Sequence, residues 1–158
     1  PLYSSAASDV YKRQAYAREE LDYWQSELSR PLASGCFGEN LTTQGVDLSA
    51  LLINQRLRIG TAVLEVSVPR QPCSTFAGWL GERGWLKRWT ARGDCGTYLR
   101  IISPGRIQPG DCITMDAPPN HDITMRIAFA AKMGNRTLAQ RVIEAGCLPP
   151  HQNNSLRA

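Results

Sequence analysis

The stretch Val-Leu-Glu-Val-Ser-Val-Pro-Arg-Gln-Pro-Cys-Ser-Thr-Phe, residues 63–76, carries the strongest structural pattern in the chain. Its first half alternates two sets of side chains, which predicts a β-strand over 62–68. Pro69 and Pro72 follow, fix the backbone angle φ and each remove a hydrogen-bond donor. The strand must therefore end in a rigid turn, and the chain beyond the turn starts a new element.

Cys73 lies at the end of this turn. A helix is predicted over 74–80, with Ser74 or Thr75 as its N-cap. A thiol at the positive end of a helix, three residues after the permanent charge of Arg70, is in a setting that favours the thiolate. The thiolate binds metals and attacks electrophiles. Cys73 could be a metal ligand, a nucleophile or a buried space-filling side chain, and its local sequence leaves all three open.

The remaining cysteines show no pattern of a disulfide framework or a zinc site. The count of five is odd, the spacing is irregular and no Cys-x-x-Cys occurs. Free thiols are typical of a reducing compartment, so we expect a cytoplasmic protein. Packing roles are predicted for the other four, least firmly for the one beside Phe37: Cys36, Cys95, Cys112 and Cys147.

Composition is that of an ordinary globular chain. The 158 residues are 42% hydrophobic and 20% charged, which suits one domain or slightly more. No apolar run is long enough to span a bilayer, so no membrane partner is expected. The net charge of +4 favours anionic small ligands but is too small and too scattered to predict nucleic-acid binding.

Short strands separated by turn residues predict a small antiparallel β-barrel. An amphipathic helix is expected before it, over 15–29, and a second short helix over 84–90. The predicted strands are 51–53, 56–59, 62–68, 97–102 and 112–115, with a further short strand inside 35–43.

The composition changes at Ala117-Pro118-Pro119-Asn120. Beyond it, helices are predicted over 124–133 and 137–144. Asp122 is a candidate cap of the first, and Gly134 and Gly146 are expected to end the first and the second helix. The polar tail 151–158 resembles a third helix cut short. We therefore expect an α+β fold, mainly β, with a partial barrel over 15–116 and a truncated helical module over 117–158.

Residues 4–14 resemble the in-frame translation of a common sequencing adapter. We treat residues 1–14 as an artefact outside the fold, as one would treat a tag. On this interpretation the native chain begins near Ala15 and is a fragment that lacks an upstream segment.

Three segments in order resemble the MOSC family, and most closely its bacterial YiiM-type branch. They are Phe37-Gly38-Glu39-Asn40-Leu41, the Pro-Arg-Gln-Pro-Cys run at 69–73, and Gly-Thr-Tyr-Leu-Arg with Gly-Arg-Ile-Gln-Pro-Gly-Asp over 96–111. Residues 15–24 are also similar to the helix that precedes the first segment in that branch. The resemblance implies a MOSC β-barrel followed by a small three-helix module.

The resemblance also implies that Cys73 ligates molybdenum beside the two dithiolene sulfurs of molybdopterin, which suits a soft thiolate. Arg70 would clamp the cofactor, or be a charge at the surface or barrel rim. Asn40 would contact the cofactor, or cap a turn. Glu39 would bind pterin nitrogens, or hold its own loop. Ser74 would offer its N–H to an anion, or cap the helix.

The function implied is an oxidoreductase that uses the molybdenum cofactor to reduce N-hydroxylated compounds such as N-hydroxylated purines. A separate flavin or iron–sulfur protein would supply electrons. The alternative is a carrier without turnover, in which Cys73 holds a persulfide or passes on molybdopterin. A third alternative is a purely structural thiol.

Two departures from the family pattern stand out. The histidine- and glycine-rich segment expected upstream is replaced by the adapter-like residues, so one wall of the pocket should be missing. The turn that normally reads Ile-Gly-Asp is Ile53-Asn54-Gln55 here, and asparagine should tolerate its positive φ. The tryptophans at 79, 85 and 89 are predicted to be core or interface residues rather than substrate-stacking groups.

Overall fold

A computed structural model describes residues 13–158, which fold into one mixed sheet with helices around it. The sheet curves into a half-barrel, and the α+β class is confirmed. Its strands are β1 (Arg13–Ala17), β2 (Leu41–Thr43), β3 (Arg56–Ile59), β4 (Ala62–Val66), β5 (Thr97–Ser103) and β6 (Ile113–Met115). The helices are α1 (Arg18–Leu28), α2 (Ser74–Leu80), α3 (Trp85–Arg92), α4 (Met125–Lys132), α5 (Arg136–Ala145) and α6 (Pro150–Ser155).

The strand order is β2-β1-β5-β4-β3-β6. We had predicted an antiparallel sheet, but one of its strand pairs is parallel. β1 and β2 pair in parallel, with Ala15 opposite Leu41 and Ala17 opposite Thr43. Parallel neighbours need a crossover rather than a hairpin, and α1 is part of the connection between these two strands. The other four strand pairs are antiparallel.

The predicted helix over 15–29 was wrong at its start. Ala15, Tyr16 and Ala17 belong to β1 and are all buried. β1 is paired on both sides, by β2 and β5, and this pairing outweighs the helical pattern that the residues continue in sequence.

β1 also includes Arg13 and Gln14, which the adapter interpretation had placed outside the fold. Gln14 pairs with Tyr98 of β5. These two residues therefore belong to the sheet, and excluding them from the fold was wrong. The rest of the adapter-like segment, 4–12, lies outside the described residues, and its origin stays a prediction.

The segment 51–53 was predicted as a strand, but it forms a link between the sheet and the C-terminal helices. Leu52 makes a single antiparallel bridge with Thr124. Asn54 follows with φ of 68°, so the expected turn is retained with asparagine in the left-handed region. Its side-chain oxygen accepts a bond from Arg100 at 2.8 Å, and its NH2 donates to the Cys147 carbonyl at 2.9 Å.

An aromatic cluster fills the space between the sheet and helices α1–α3. Phe37 lies 5.1 Å from Phe76 and 5.5 Å from Trp85, ring centre to ring centre, in edge-on geometry. Trp89 connects this cluster to Phe129 of α4 at 5.5 Å. Edge-on aromatic pairs at these distances stabilise the fold in addition to the free energy gained from burying their apolar surface. The cluster fixes the loop that carries Phe37 against the start of α2.

The C-terminal helices pack onto the same core as the sheet. Thr124, not Asp122, caps α4, because its hydroxyl accepts the N–H of Ile127 at 3.2 Å. α5 ends at Gly146 in the left-handed region as predicted, and the polar tail does form the short helix α6. None of the helices within 13–158 is long and apolar enough to cross a membrane. The division at residue 117 stays a prediction.

Candidate functional site

Cys73 is the N-cap of α2, a role that we had predicted for Ser74 or Thr75. Its sulfur accepts the backbone N–H of Phe76 at 3.4 Å. The residue is exposed and forms no disulfide. The buried-filler alternative is therefore wrong, because the thiol is at the surface.

Arg70 lies beneath the site and is only 5% exposed. Its Nη1 donates to the Phe37 carbonyl at 2.5 Å, and its guanidinium stacks 4.0 Å above the Phe76 ring centre. Burial lowers the pKa of Arg70 from its ordinary value, while the acidic groups around it act in the opposite direction. The surface-charge alternative does not describe this side chain. Arg70 joins the Phe37 loop to α2.

Glu39 is buried and accepts three hydrogen bonds, two from its own loop and one from β2. Its carboxylate binds the N–H of Gly35 at 2.6 Å, the N–H of Phe37 at 3.1 Å and the hydroxyl of Thr42 at 2.9 Å. A carboxylate with this many donors fixes the loop conformation. The loop-holding alternative is thus what these contacts support, and direct contact with a cofactor stays a prediction.

Asn40 and Ser74 are the exposed members of the predicted set. Asn40 joins the loop to β1: its side-chain oxygen accepts from the N–H of Gln14, and its own N–H donates to the Gln14 carbonyl, both at 2.9 Å. Ser74 is the first residue of α2, directly after Cys73. Both residues have polar atoms near solvent, so both are accessible to a ligand.

Trp79 is not one of the core residues that the sequence predicted, and the alternative of an interface residue stays a prediction. Trp85 and Trp89 are core residues as expected, but Trp79 in the last turn of α2 is 61% exposed. It lies against Gly38, where an added Cβ would come within 2.7 Å of the indole Cζ3. No sequence signal separated Trp79 from the other tryptophans, since α2 is too short for a reliable periodicity.

The contacts bring the two predicted motifs together. Arg70 connects the Phe37 carbonyl to the ring of Phe76, and Phe76 donates its N–H to Cys73. The Phe-Gly-Glu-Asn loop and the Pro-Arg-Gln-Pro-Cys turn therefore form one unit, with the Cys73 thiol at its surface.

The other cysteines lie elsewhere. Cys95 is buried, and burial raises the pKa of its thiol. Burial also raises the pKa of the Cys36 thiol, with the nearby Glu39 carboxylate as a second cause. Cys112 is exposed, on the segment that enters β6. Across residues 13–158, no three His, Cys, Asp or Glu side chains are grouped as a metal site.

A separate cleft of about 300 Å³ lies between the start of α1 and α4, and none of the five predicted site residues lines it. Four of its nine lining residues are acidic. One of them, Asp94, is buried, and its carboxylate lies 3.9 Å from the guanidinium of Arg126. Burial and the charge of Glu20 raise the pKa of Asp94 to about 6. Glu20 itself is paired with Arg92 through two bonds of 2.8 and 3.0 Å.

The fold and the site define a class of protein. The family model described as "MOSC domain" matches residues 7–114, and the chain belongs to this family. Membership agrees with the half-barrel and with the position of Cys73 between β4 and α2.

Particular relatives are similar over most or part of the chain. An uncharacterized protein YflK of Bacillus subtilis is 38% identical over 136 residues, which is 84% of this chain and 62% of the relative. A protein named "Reductase" from Gibberella moniliformis is 34% identical over 82 residues, or 51% of this chain and 15% of that protein. The crystal structure of YiiM from Geobacillus stearothermophilus superposes with a TM-score of 0.81 at 26% identity, covering 92% of this chain and 76% of that one. The chain thus spans less than two thirds of the curated relatives it matches.

MOSC domains are associated with the molybdenum cofactor, and the donor chemistry at Cys73 fits that group. The thiol is exposed, outside any disulfide and positioned by a helix N–H. Since the described residues hold no cluster of three protein ligands, a metal here would need most of its ligands from its own organic group. The dithiolene of molybdopterin provides such ligands, and soft sulfur donors match one another.

Proposed function

We propose that this chain binds the molybdenum cofactor and belongs to an oxidoreductase that reduces N-hydroxylated compounds, with N-hydroxylated purines as the favoured substrates. The observation that carries the proposal is the exposed thiol of Cys73 at the start of α2 in a MOSC family chain. The relative that is named a reductase supports the redox class.

In this proposal each residue of the site has a distinct role. Cys73 supplies a sulfur ligand to the metal. Arg70 and Glu39 position that ligand, because they hold the Phe-Gly-Glu-Asn loop against α2. Asn40 and Ser74 present exposed polar groups to the polar edge and the phosphate of the cofactor.

The reaction converts an N–OH group and two electrons and two protons into an N–H group and one water. The N–O bond breaks, the nitrogen is reduced and the oxygen leaves as water. The bound cofactor supplies the two-electron chemistry. A separate flavin or iron–sulfur protein supplies the electrons. We place the activity in the cytoplasm, because all five cysteines are free thiols and a reducing compartment keeps them so.

The test replaces Cys73 by serine in the full protein and compares it with Cys112→Ser. Both cysteines are exposed, so the pair is matched for accessibility. Serine is a good N-cap, and C73S should therefore keep α2 intact. Metal content is measured by mass spectrometry, pterin content by fluorescence after oxidation, and turnover by reduction of an N-hydroxylated purine with a chemical electron donor.

We expect C73S to lose molybdenum and turnover while C112S keeps both. Full metal content and activity in C73S would refute the proposal. Bound cofactor in the wild-type protein with no reduction of any N-hydroxylated substrate would instead support a carrier of cofactor or persulfide sulfur.

A further inference from the structure

Trp79 is the most exposed of the large hydrophobic side chains in residues 13–158. Its exposed fraction is 61%, against 54% for Met115 and 40% for Ile102. The other three tryptophans in this range are between 0% and 2% exposed: Trp24, Trp85 and Trp89. None of the ring-to-ring contacts within this range includes Trp79. An indole without an aromatic partner and open to solvent retains its capacity for stacking.

The indole is nevertheless held in place on one side. Gly38 lies against its six-membered ring, so that a Cβ there would be 2.7 Å from Cζ3 and 3.2 Å from Cη2. Gly38 belongs to the loop whose conformation Glu39 fixes through bonds to Gly35 and Phe37. Trp79 thus rests on backbone that is itself rigid. Because one part of the indole is held against Gly38 and the remainder is open to solvent, it can bind a flat ring with little loss of side-chain entropy.

The position of Trp79 relates it directly to Cys73. Cys73 caps α2 and Trp79 lies six residues later on the same helix. At 1.5 Å per residue, their separation along the helix axis is about 9 Å. Phe76, midway between them, faces the core. At 3.6 residues per turn, Trp79 lies about 60° around the helix axis from Phe76, and its ring contacts Gly38 of the Phe-Gly-Glu-Asn loop.

We propose that Trp79 is a stacking platform for a flat, fused nitrogen heterocycle bound beside Cys73. The inference rests on the proposed function, which brings two such rings to this site: the pterin of the cofactor and the purine of the substrate. Both have a π-face that an indole binds regardless of the pattern of ring substituents. On this proposal Trp79 favours ligands with a flat fused ring, and Cys73 supplies a ligand to the metal.

The experiment measures ring binding by isothermal titration calorimetry on the full protein without cofactor, with pterin and adenine as separate probes. Trp79→Phe keeps an aromatic face, Trp79→Ala removes it, and Met115→Ala removes a similarly exposed side chain from β6. Acrylamide quenching is a second readout, because the three other tryptophans are buried and Trp79 dominates the accessible emission. A bound ring should shield Trp79 from acrylamide.

We expect W79A to weaken binding of at least one ring by about 5- to 100-fold, W79F to stay within about threefold, and M115A to bind as the wild type. An effect on pterin alone assigns the platform to the cofactor, and an effect on adenine alone assigns it to the substrate. Equal binding of both rings by W79A and wild type, or no saturable binding of either ring by wild type, would overturn the inference.

The same variants separate this inference from the proposed function. Cys73→Ser should lose molybdenum yet bind the free rings as the wild type does. If C73S keeps its metal while W79A loses ring binding, the proposed function fails and the platform stands. If C73S loses its metal while W79A binds rings normally, only the platform fails.

Discussion

Replacing Gly38 by alanine tests the packing of the candidate site in two separable parts. Gly38 has φ of +82°, where an alanine costs about 1–2 kcal/mol of folding stability. Its new Cβ would also lie 2.7 Å from Cζ3 of Trp79. The indole has to leave its preferred rotamer, which costs about 0.5–1.5 kcal/mol more. We therefore expect G38A to be destabilised by about 1.5–3.5 kcal/mol.

Gly45 offers a matched control, since its φ is +76° and nothing lies within 4 Å of an added Cβ. Gly45→Ala should cost only the backbone part, about 1–2 kcal/mol. Urea denaturation measures both, because 1 kcal/mol moves the midpoint by about 0.3–1 M at typical slopes. Adding G38A to a W79A background should cost no more than G45A. If G38A is as stable as G45A, or if its excess cost persists without Trp79, the described position of the indole is wrong.

Three further predictions concern stability. Arg70→Met leaves the buried Phe37 carbonyl without its donor and should lower folding stability by about 1–3 kcal/mol in a denaturant titration. An Arg70→Lys variant as stable as wild type would contradict the role of the planar guanidinium. The folded state raises the pKa of Asp94 from 3.8 to about 6, so the folded protein binds this proton more tightly than the unfolded chain does. The protonated carboxyl therefore contributes folding stability at low pH, and this stability is lost as the pH rises from 3.8 to about 6. Between about pH 4 and 7, the free energy of unfolding of the wild type should fall by up to about 3 kcal/mol relative to that of Asp94→Asn. The same dependence of stability on pH in both proteins would refute this. Asn54→Ala should be about 1 kcal/mol less stable than Asn54→Gly in the same assay, because only alanine keeps the strain of positive φ; the reverse order would contradict it.

The elements around Cys73 could be predicted because their signals are local. Alternation and two prolines predicted the bounds of α2 to the residue and those of β4 to within two residues, although the cap of α2 is Cys73 and not Ser74 or Thr75. β1 could not be found in this way, because its three buried residues continue into α1 without a break in pattern. Only its pairing with β2 and β5, which are distant in sequence, makes this segment a strand.

The structure links Arg70 and Glu39 to the loop and turn around Cys73, while their roles toward a ligand stay predictions. The sequence offered no means to tell a buried linking residue from an exposed contact residue. Arg70 points inward because an aromatic ring and a carbonyl happen to face it across the fold. Trp79 is exposed because α2 ends one residue later and its buried face is already filled by Phe76 and Leu80.

The link between residues 51–54 and the C-terminal helices has a consequence for how the molecule unfolds. Backbone bonds run from Ile53 to Ile123 at 3.0 Å and from Met125 to Leu51 at 2.8 Å, and the Asn54 side chain binds the Cys147 carbonyl. The helices also share one continuous core with the sheet. Backbone hydrogen bonds and a shared core therefore connect the segments on the two sides of residue 117. We expect the half-barrel and the helical module to melt in one cooperative transition, so that loosening α5 lowers the stability of the sheet that holds Cys73.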